Sequence, residues 1–213
     1  MDNATCYIFG AGEFEPCPIE LTSRDLVIAA DGGYDYLVEM GLRADIVLGD
    51  FDSITSFDVW DDTNCEKLTY PPEKDDTDML LAIKLGISRG YENFAIYGGL
   101  GGRMDHSISN IQALTYIARQ GVKGVLYHHN HAMTVINNSS YIIPKETKGY
   151  VSIFSLSDVS ENVTIKGLKY DIYGENITND FPIGTSNEAI GKKGFISVGN
   201  GTLLIMWQID SEE

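Results

Sequence analysis

A series of short apolar runs, with helix-like stretches between several of them, constrains the fold most. The first 130 residues contain five such runs, at residues 5–9, 26–30, 46–48, 94–97 and 124–128. Strands that alternate with helices are typical of a parallel sheet with helices packed on it. The sequence therefore predicts a parallel-sheet α/β domain over residues 1–131.

Two helices of this predicted domain have recognisable ends. The first begins at Asp76 or Thr77, either of which can cap it, and stops before Gly90. Its apolar face is predicted to contain Leu80, Ile83 and Ile87. The second runs from about residue 106 to residue 120 and stops at Gly121. Its predicted apolar face contains Ile108, Ile111 and Thr115.

After residue 131 the apolar residues recur at every second position, as in YVSIFSLS and VTIKGLKYDIY. This period is typical of half-buried antiparallel strands. The pair Asn200-Gly201 predicts a tight hairpin between two of them. Tyr170, Tyr173 and Trp207 are expected in a core or an interface. We therefore predict an antiparallel β domain over residues 132–213.

The charge of the chain excludes some classes of partner. With 31 acidic and 15 basic residues, the formal charge is −16, so nucleic acid and anionic membranes are predicted not to be partners. Three cysteines occur without a C-x-x-C pair, and the first ten residues resemble no secretion signal. These features predict a reduced, cytoplasmic protein.

Glycines and acids follow four of the five apolar runs. The loops concerned are residues 10–12, 31–33, 49–53 and 98–106. In a parallel sheet these loops meet at one edge, where ligands bind and where glycine lets the backbone approach a phosphate. The G-x-G-x-x-G fingerprint fails at Glu15, and no Walker loop occurs. The sequence predicts a phosphate-binding crevice of another kind.

The acids at this edge suggest a metal. Asp50 and Asp52 are two residues apart, so in an extended chain their carboxylates point to the same side and repel unless a cation lies between them. Further acids are Asp31, Asp75, Asp76 and Asp78. Those at the helix start are also ordinary caps, and D-x-D is a frequent string. Together they can hold Mg²⁺, with Lys74 and Arg103 on phosphate oxygens.

Six motifs in this order resemble the thiamine pyrophosphokinase family. They are DGG at 31–33, GDFDS at 49–53, KDDTD at 74–78, GGRMDH at 101–106, GLKY at 167–170 and TSN at 185–187. Their order and approximate spacing match along nearly the whole chain. Asp171 is a departure, because members of the family often have proline there.

The resemblance implies a fold, an activity and an assembly. The implied fold is an N-terminal, Rossmann-like α/β domain that binds ATP and Mg²⁺, followed by a C-terminal antiparallel β-sandwich domain that binds thiamine. The implied reaction converts ATP and thiamine to thiamine diphosphate and AMP, with Mg²⁺ or Mn²⁺ as cofactor. The implied assembly is a homodimer with thiamine sites between the subunits.

The resemblance also implies roles for individual residues. The implied catalytic residues are Asp50, Asp52, Asp78, Arg103 and Asp105. The implied metal ligands are Asp50, Asp52, Asp75 and Asp78. The implied contacts to ATP are Asp31, Gly32, Gly33, Lys74, Asp75, Thr77, Gly101, Gly102 and Arg103. The implied contacts to thiamine are Asp105, His106, Ser186 and Asn187.

Two alternatives remain at this stage. In a haloacid-dehalogenase-type phosphohydrolase, Asp50 would be the nucleophile that forms an aspartyl-phosphate. Against this, Ile54 stands where that family has threonine or valine, and Gly49 interrupts the apolar run. A non-catalytic nucleotide or thiamine sensor would retain the crevice without turnover, but no acid of the metal set is missing.

Overall fold

The computed structural model describes residues 4–51, 54–55, 64–71, 73 and 75–209. The chain divides into two compact units. The first comprises residues 1–113 and 122–128, and the second comprises residues 114–121 and 129–213. The domain boundary after residue 131 stays a prediction.

Six strands of the first unit run parallel. They are β1 (Thr5–Phe9), β2 (Leu26–Ala30), β3 (Ile46–Gly49), β4 (Glu66–Thr69), β5 (Asn93–Tyr97) and β6 (Lys123–His128). Their order is β6-β5-β1-β2-β3-β4, and every pair between neighbours is parallel. Because these strands are parallel, the loops after β1, β2, β3 and β5 lie at the same edge of the sheet, and β1 has a central position.

The helices are α1 (Gly33–Glu39), α2 (Asp78–Ser88) and α3 (Met104–Arg119). Tyr34 and Leu37 of α1 belong to a buried cluster with Phe9 of β1. Gly86 of α2 instead lies against Cys6 of the same strand. Positions 6 and 9 of a strand face opposite sides of a sheet. Helices α1 and α2 therefore cover the two faces of the parallel sheet, as in a Rossmann-like fold.

Both predicted helices exist, but only Ile83 of the residues predicted on their apolar faces is fully buried. Thr77 is the cap of α2, its Oγ1 accepting a hydrogen bond from the Leu80 amide at 3.3 Å. The buried residues of α2 are Met79, Ala82, Ile83 and Gly86. The buried residues of α3 are Asn110, Ala113, Leu114 and Ile117, while Ile108 is 54% exposed. In each helix small or polar residues occupy buried positions, which a hydrophobic pattern misses.

Strand β4 was not predicted from the sequence. Its four residues read EKLT, and none of them is fully buried. The strand lies at the edge of the sheet, beside β3. A short, charged edge strand protects a sheet from further pairing and gives little hydrophobic signal.

The second unit contains two antiparallel sheets. Its strands are β7 (His131–Asn137), β8 (Ser140–Ile143), β9 (Tyr150–Ser155), β10 (Val159–Lys166), β11 (Ile172–Thr178), β12 (Asn187–Glu188), β13 (Gly194–Ser197) and β14 (Thr202–Gln208). The orders are β12-β9-β14-β7 and β11-β10-β13-β8. The Tyr141 ring of β8 contacts the Trp207 ring of β14, with centroids 5.3 Å apart, so the sheets pack face to face. The predicted α/β and antiparallel β-sandwich architecture is confirmed.

The predicted hairpin at Asn200-Gly201 was wrong. Strand β13 pairs with β8 and β10, whereas β14 pairs with β7 and β9, so these residues connect the two sheets. Asn200 pairs with Glu161 in an isolated bridge. A glycine turn gives the chain a change of direction, but side-chain packing decides which sheet the next strand joins.

Among the helices in the described ranges, none has both the length and the apolar character needed to cross a lipid bilayer.

We predict that Gly33→Ala destabilises the first unit. A β-carbon at Gly33 would lie 2.0 Å from the carbonyl oxygen of Phe9, and backbone atoms cannot yield as a side chain does. We expect the free energy of unfolding in urea to fall by about 3 kcal/mol, the upper end of overpacking costs. The control is Gly41→Asn, which meets open space and a left-handed backbone that asparagine tolerates. Equal losses for the two variants would contradict this account of α1 packing.

Candidate functional site

A cavity of about 660 Å³ lies at the carboxyl edge of the parallel sheet in the first unit. Its acids are Asp31, Asp50, Asp75, Asp76 and Asp78. Its glycines are Gly10, Gly12, Gly98, Gly99, Gly101 and Gly102. The size is that of a site for a cofactor or a small substrate. We call it the acidic cavity.

The loops after β1 and β5 form one wall of the acidic cavity. Backbone amides of Gly10 and Gly12 donate to the carbonyls of Tyr97 and Gly98, both at 2.8 Å. A β-carbon at Gly10 would lie 2.7 Å from the Gly98 carbonyl oxygen. Glycine is therefore required where these two loops touch, independently of any ligand.

The acids Asp31 and Asp50 lie on the loops after β2 and β3. The backbone of Asp31 has φ +51° and that of Phe51 has φ +65°, both in the left-handed region. The Asp31 amide donates to the Leu48 carbonyl at 2.8 Å, which ties the two loops together. Residues other than glycine adopt a left-handed backbone at an energetic cost. Residues with such strain are often found at functional sites.

The other three acids precede or begin α2. Asp76 forms an ion pair with Lys84 at 2.6 Å, so its charge is balanced within the same helix region. Asp78 is the first residue of α2, where the helix dipole favours a carboxylate. Asp76 thus has a structural partner that the sequence did not indicate.

The donor set of the acidic cavity fits Mg²⁺. The carboxylates of Asp31, Asp50, Asp75 and Asp78 offer the oxygen ligands that this ion prefers. Among the described residues, no three of the cavity acids bring ligand oxygens within 4.8 Å of one another. Mg²⁺ is usually held by one or two carboxylates together with water and substrate phosphates, so a more open arrangement suits it. The predicted residues Asp52 and Lys74 lie outside the described residues.

Arg103 and His106 line the cavity, whereas Asp105 is absent from its lining. The carboxylate of Asp105 accepts two hydrogen bonds from Arg103, at 3.2 Å from Nε and 2.6 Å from Nη2. The pairing lowers the pKa of Asp105 to about 2, chiefly through the hydrogen bond from Arg103. In the structure, the Asp105 side chain therefore pairs with Arg103, the predicted phosphate-binding residue.

Gly32 and Gly33 differ in position from Gly101 and Gly102. Gly32 caps α1, and Gly33 packs under the Phe9 carbonyl, and neither lines the cavity. Gly101 and Gly102 do line it, with φ +84° and +63°. The two glycines of the DGG motif are therefore explained by the packing of α1. Gly101 and Gly102 give the loop before Arg103 its unusual path.

Sequence reasoning missed two side chains that shape the glycine loops. The buried Asn110 donates from Nδ2 to the Gly99 carbonyl at 2.6 Å. Tyr36 donates from its hydroxyl to the Gly12 carbonyl at 2.7 Å. Asn110 could have been found as a polar residue among the buried positions of α3. No local sequence pattern indicated the contact of Tyr36.

In the second unit the structure brings the GLKY and TSN motifs together. The side chain of Asn187 accepts from the Tyr170 amide at 3.0 Å and donates to the Tyr170 carbonyl at 2.7 Å. Lys169 forms an ion pair with Glu188 at 2.5 Å. Ser186 is exposed and has φ +60°. Asn187 thus holds the GLKY segment, while Ser186 is presented to solvent.

Comparisons with known proteins agree across both units. Residues 19–126 match the family model described as thiamin pyrophosphokinase, catalytic domain. Residues 140–203 match the model described as thiamin pyrophosphokinase, vitamin B1 binding domain. A thiamine pyrophosphokinase of Bacillus subtilis (strain 168) is 31% identical over 191 residues, which cover 87% of this chain and 88% of that protein.

The chain belongs to the thiamin pyrophosphokinase family. A further relative, thiamin pyrophosphokinase 1 of Caenorhabditis elegans, is 28% identical over 186 residues, covering 79% of this chain and 73% of that protein. The crystal structure of thiamine pyrophosphokinase from Bacillus subtilis is similar with a TM-score of 0.86 and 27% identity, covering 97% of this chain and all of that one. The members of this family are kinases, a class of transferases. The chain is therefore assigned as an enzyme.

We predict that the Asp105 carboxyl titrates near pH 2 and that Arg103→Ala raises its pKa toward about 3.9, the ordinary aspartate value. Because the folded-state pKa is lowered, the pairing is fully present above about pH 4 and is lost as the pH falls through about 2. NMR titration of the side-chain carboxyl carbon measures both values. An unchanged Asp105 pKa in the Arg103 variant would contradict the pairing.

Proposed function

We propose that the protein transfers the pyrophosphoryl group of ATP to the hydroxyl of thiamine, forming thiamine diphosphate and AMP with Mg²⁺ as cofactor. The observation that supports this most is the acidic cavity, which combines carboxylates, glycine loops and Arg103 at one sheet edge in a member of this family. A polyphosphate with a divalent cation suits such a lining, whereas a neutral or purely apolar ligand does not.

The proposed reaction is a single displacement at phosphorus. The hydroxyl oxygen of thiamine bonds to the β-phosphorus of ATP, and the bond from that phosphorus to the oxygen bridging the α-phosphate breaks. AMP leaves with the bridging oxygen, and the hydroxyl proton passes to a base. Catalysis of such transfers consists mainly of positioning and of stabilising phosphate charge.

The proposed roles follow the family resemblance, joined for the described residues by the placement of the side chains. Asp50, Asp52, Asp75 and Asp78 are the proposed Mg²⁺ ligands. The ion would neutralise phosphate oxygens that these acids alone would repel. Arg103 and Lys74 contact phosphate, the arginine through its planar fork. Asp31, Thr77, Gly101 and Gly102 border the nucleotide.

The proposed thiamine sites lie between the two subunits of a homodimer. The proposed contacts to thiamine are Ser186 and Asn187 of the vitamin B1 binding part, and Asp105 and His106 of the catalytic part. Asp105, held by Arg103, is proposed to orient the thiamine hydroxyl. The homodimer is supported by large exposed side chains of the second unit, namely Tyr170, Tyr173, Phe181 and Ile183.

Tyr170 and Tyr173 were expected in a core or an interface. They are 61% and 63% exposed in the chain, which leaves the interface as their proposed role. Trp207, in contrast, is buried in the core of the second unit, as predicted. A cytoplasmic location also stays a proposal. Cys6, Cys17 and Cys65 form no disulfide in the described part of the chain.

We predict that purified protein with thiamine, ATP and Mg²⁺ forms thiamine diphosphate and AMP in equal amounts, and that EDTA abolishes both. Asp78→Asn should lower kcat/KM by about 100-fold or more, because one cavity ligand for the cation loses its charge. The matched control Asp180→Asn removes an exposed acid of the second unit and should retain full activity. Chromatography of all four compounds provides the measurement.

Two outcomes of this experiment contradict the proposal. ADP or free phosphate without thiamine diphosphate would favour the hydrolase alternative, with Asp50 as nucleophile. Binding of both substrates without any product would favour the sensor alternative.

A further inference from the structure

Glu13 lies directly after the first glycine loop and contacts the second. Its carboxylate oxygen Oε1 accepts a hydrogen bond from the Gly102 amide at 3.2 Å. The Glu13 amide itself donates to the Leu100 carbonyl at 2.7 Å. Neither the sequence motifs nor the proposed mechanism uses Glu13. We infer that Glu13 is a positioning residue that fixes residues 101–103 in the conformation that presents Arg103 to phosphate.

Packing supports the hydrogen bond. A β-carbon added at Gly101 would lie 2.5 to 2.6 Å from Cβ, Cγ and Cδ of Glu13. The aliphatic part of Glu13 therefore lies flat against the backbone of Gly101, although the residue is exposed at its outer side. The loop and the side chain are in contact along the length of that side chain.

The loop needs such a contact because of its backbone. Gly101 and Gly102 have φ +84° and +63°, two successive residues in the left-handed region. Glycine adopts this region readily but also many others, so two adjacent glycines do not hold one conformation by themselves. An external acceptor for the Gly102 amide selects the observed path.

The charge of Glu13 makes the assignment specific. A carboxylate near a phosphate site repels the substrate, so a solvated acid at this place would lower affinity. Its presence is explained if its function is to accept the backbone N–H of Gly102. A ring nitrogen of His128, the last residue of β6, lies within 4.8 Å of the same carboxylate.

This inference rests on the proposed function in one respect, namely that Arg103 contacts substrate phosphate. Arg103 directly follows Gly102, and it lines the acidic cavity. A displacement of about 1 Å in a positioning group can cost about 100-fold in rate. Loss of the Glu13 contact should therefore act through the placement of Arg103.

Three substitutions of Glu13 separate its features. Glu13→Gln retains the length and a carbonyl acceptor, whereas Glu13→Asp retains the charge but is one methylene shorter, and Glu13→Ala removes both. We expect kcat/KM for ATP to fall about tenfold in the Ala and Asp variants and to stay within about twofold of the parent chain in the Gln variant. The matched control Glu20→Ala removes an exposed acid of the same connection and should have no effect.

Amide hydrogen exchange tests the inference without relying on activity. Measured by mass spectrometry on the protein without substrates, exchange in peptides covering residues 98–104 should increase in the Ala and Asp variants and stay unchanged in the Gln and Glu20→Ala variants. If the parent chain forms no thiamine diphosphate, the proposed function fails, and this measurement still decides the role of Glu13. Unchanged exchange in all variants would overturn the inference.

A double-mutant cycle with Arg103→Ala tests the connection to the arginine. If Glu13 acts through Arg103, the tenfold effect of Glu13→Ala should largely disappear in the Arg103→Ala background. Additive effects would mean that Glu13 supports the fold in another way, and would overturn the inference. Tighter ATP binding by Glu13→Ala would also overturn it, because the carboxylate would then occupy the place of a phosphate.

Discussion

The close contact between the loops after β1 and β5 is the constraint on which the site depends. A β-carbon at Gly98 would lie 2.2 Å from the Gly10 carbonyl oxygen, and one at Gly12 would lie 2.4 Å from that of Leu100. Parallel pairing of β1 with β5 brings the two strand ends to the same level of the sheet. Only glycine permits the loops to continue side by side from there, and the space beyond them is the acidic cavity.

The second constraint is electrostatic. Fourteen of the 18 aspartates precede residue 110, and five of them line one cavity. Asp76 is balanced by Lys84, and Asp105 is held by Arg103 outside the lining. Asp31, Asp50, Asp75 and Asp78 line the same space, and a concentration of carboxylates repels anions unless a cation is present. This requirement connects the acidic composition of the chain with the proposed metal-dependent reaction of a polyphosphate.

How far the sequence predicted the structure depended on the kind of signal. Strands β1 and β2 were predicted with correct bounds because each is a short run of β-forming residues that ends directly before glycine or aspartate. The face of α3 was wrong because the polar Asn110 is buried while Ile108 is exposed. The hairpin at residues 200–201 was wrong because packing between sheets, which is not local, decided the pairing.

The residues of the candidate site were likewise predicted where the sequence signal is local and missed where it is not. Asp50 and Asp78 were identified because strand ends and helix starts are visible in the sequence, and the topology brings them to one edge. Glu13 and Tyr36 were missed because their contacts join residues 24 to 89 positions apart. A motif shows which residue types recur, whereas the partners that hold a loop in place emerge only from the fold.

The most direct test of the account is the position of the cation. Crystals grown with Mn²⁺ and a non-hydrolysable ATP analogue would locate the ion by its anomalous scattering. We predict one ion within bonding distance of carboxylate oxygens of Asp50 and Asp78, and also of analogue phosphate oxygens. An ion bound elsewhere on the chain, or phosphates placed outside the acidic cavity, would contradict the account.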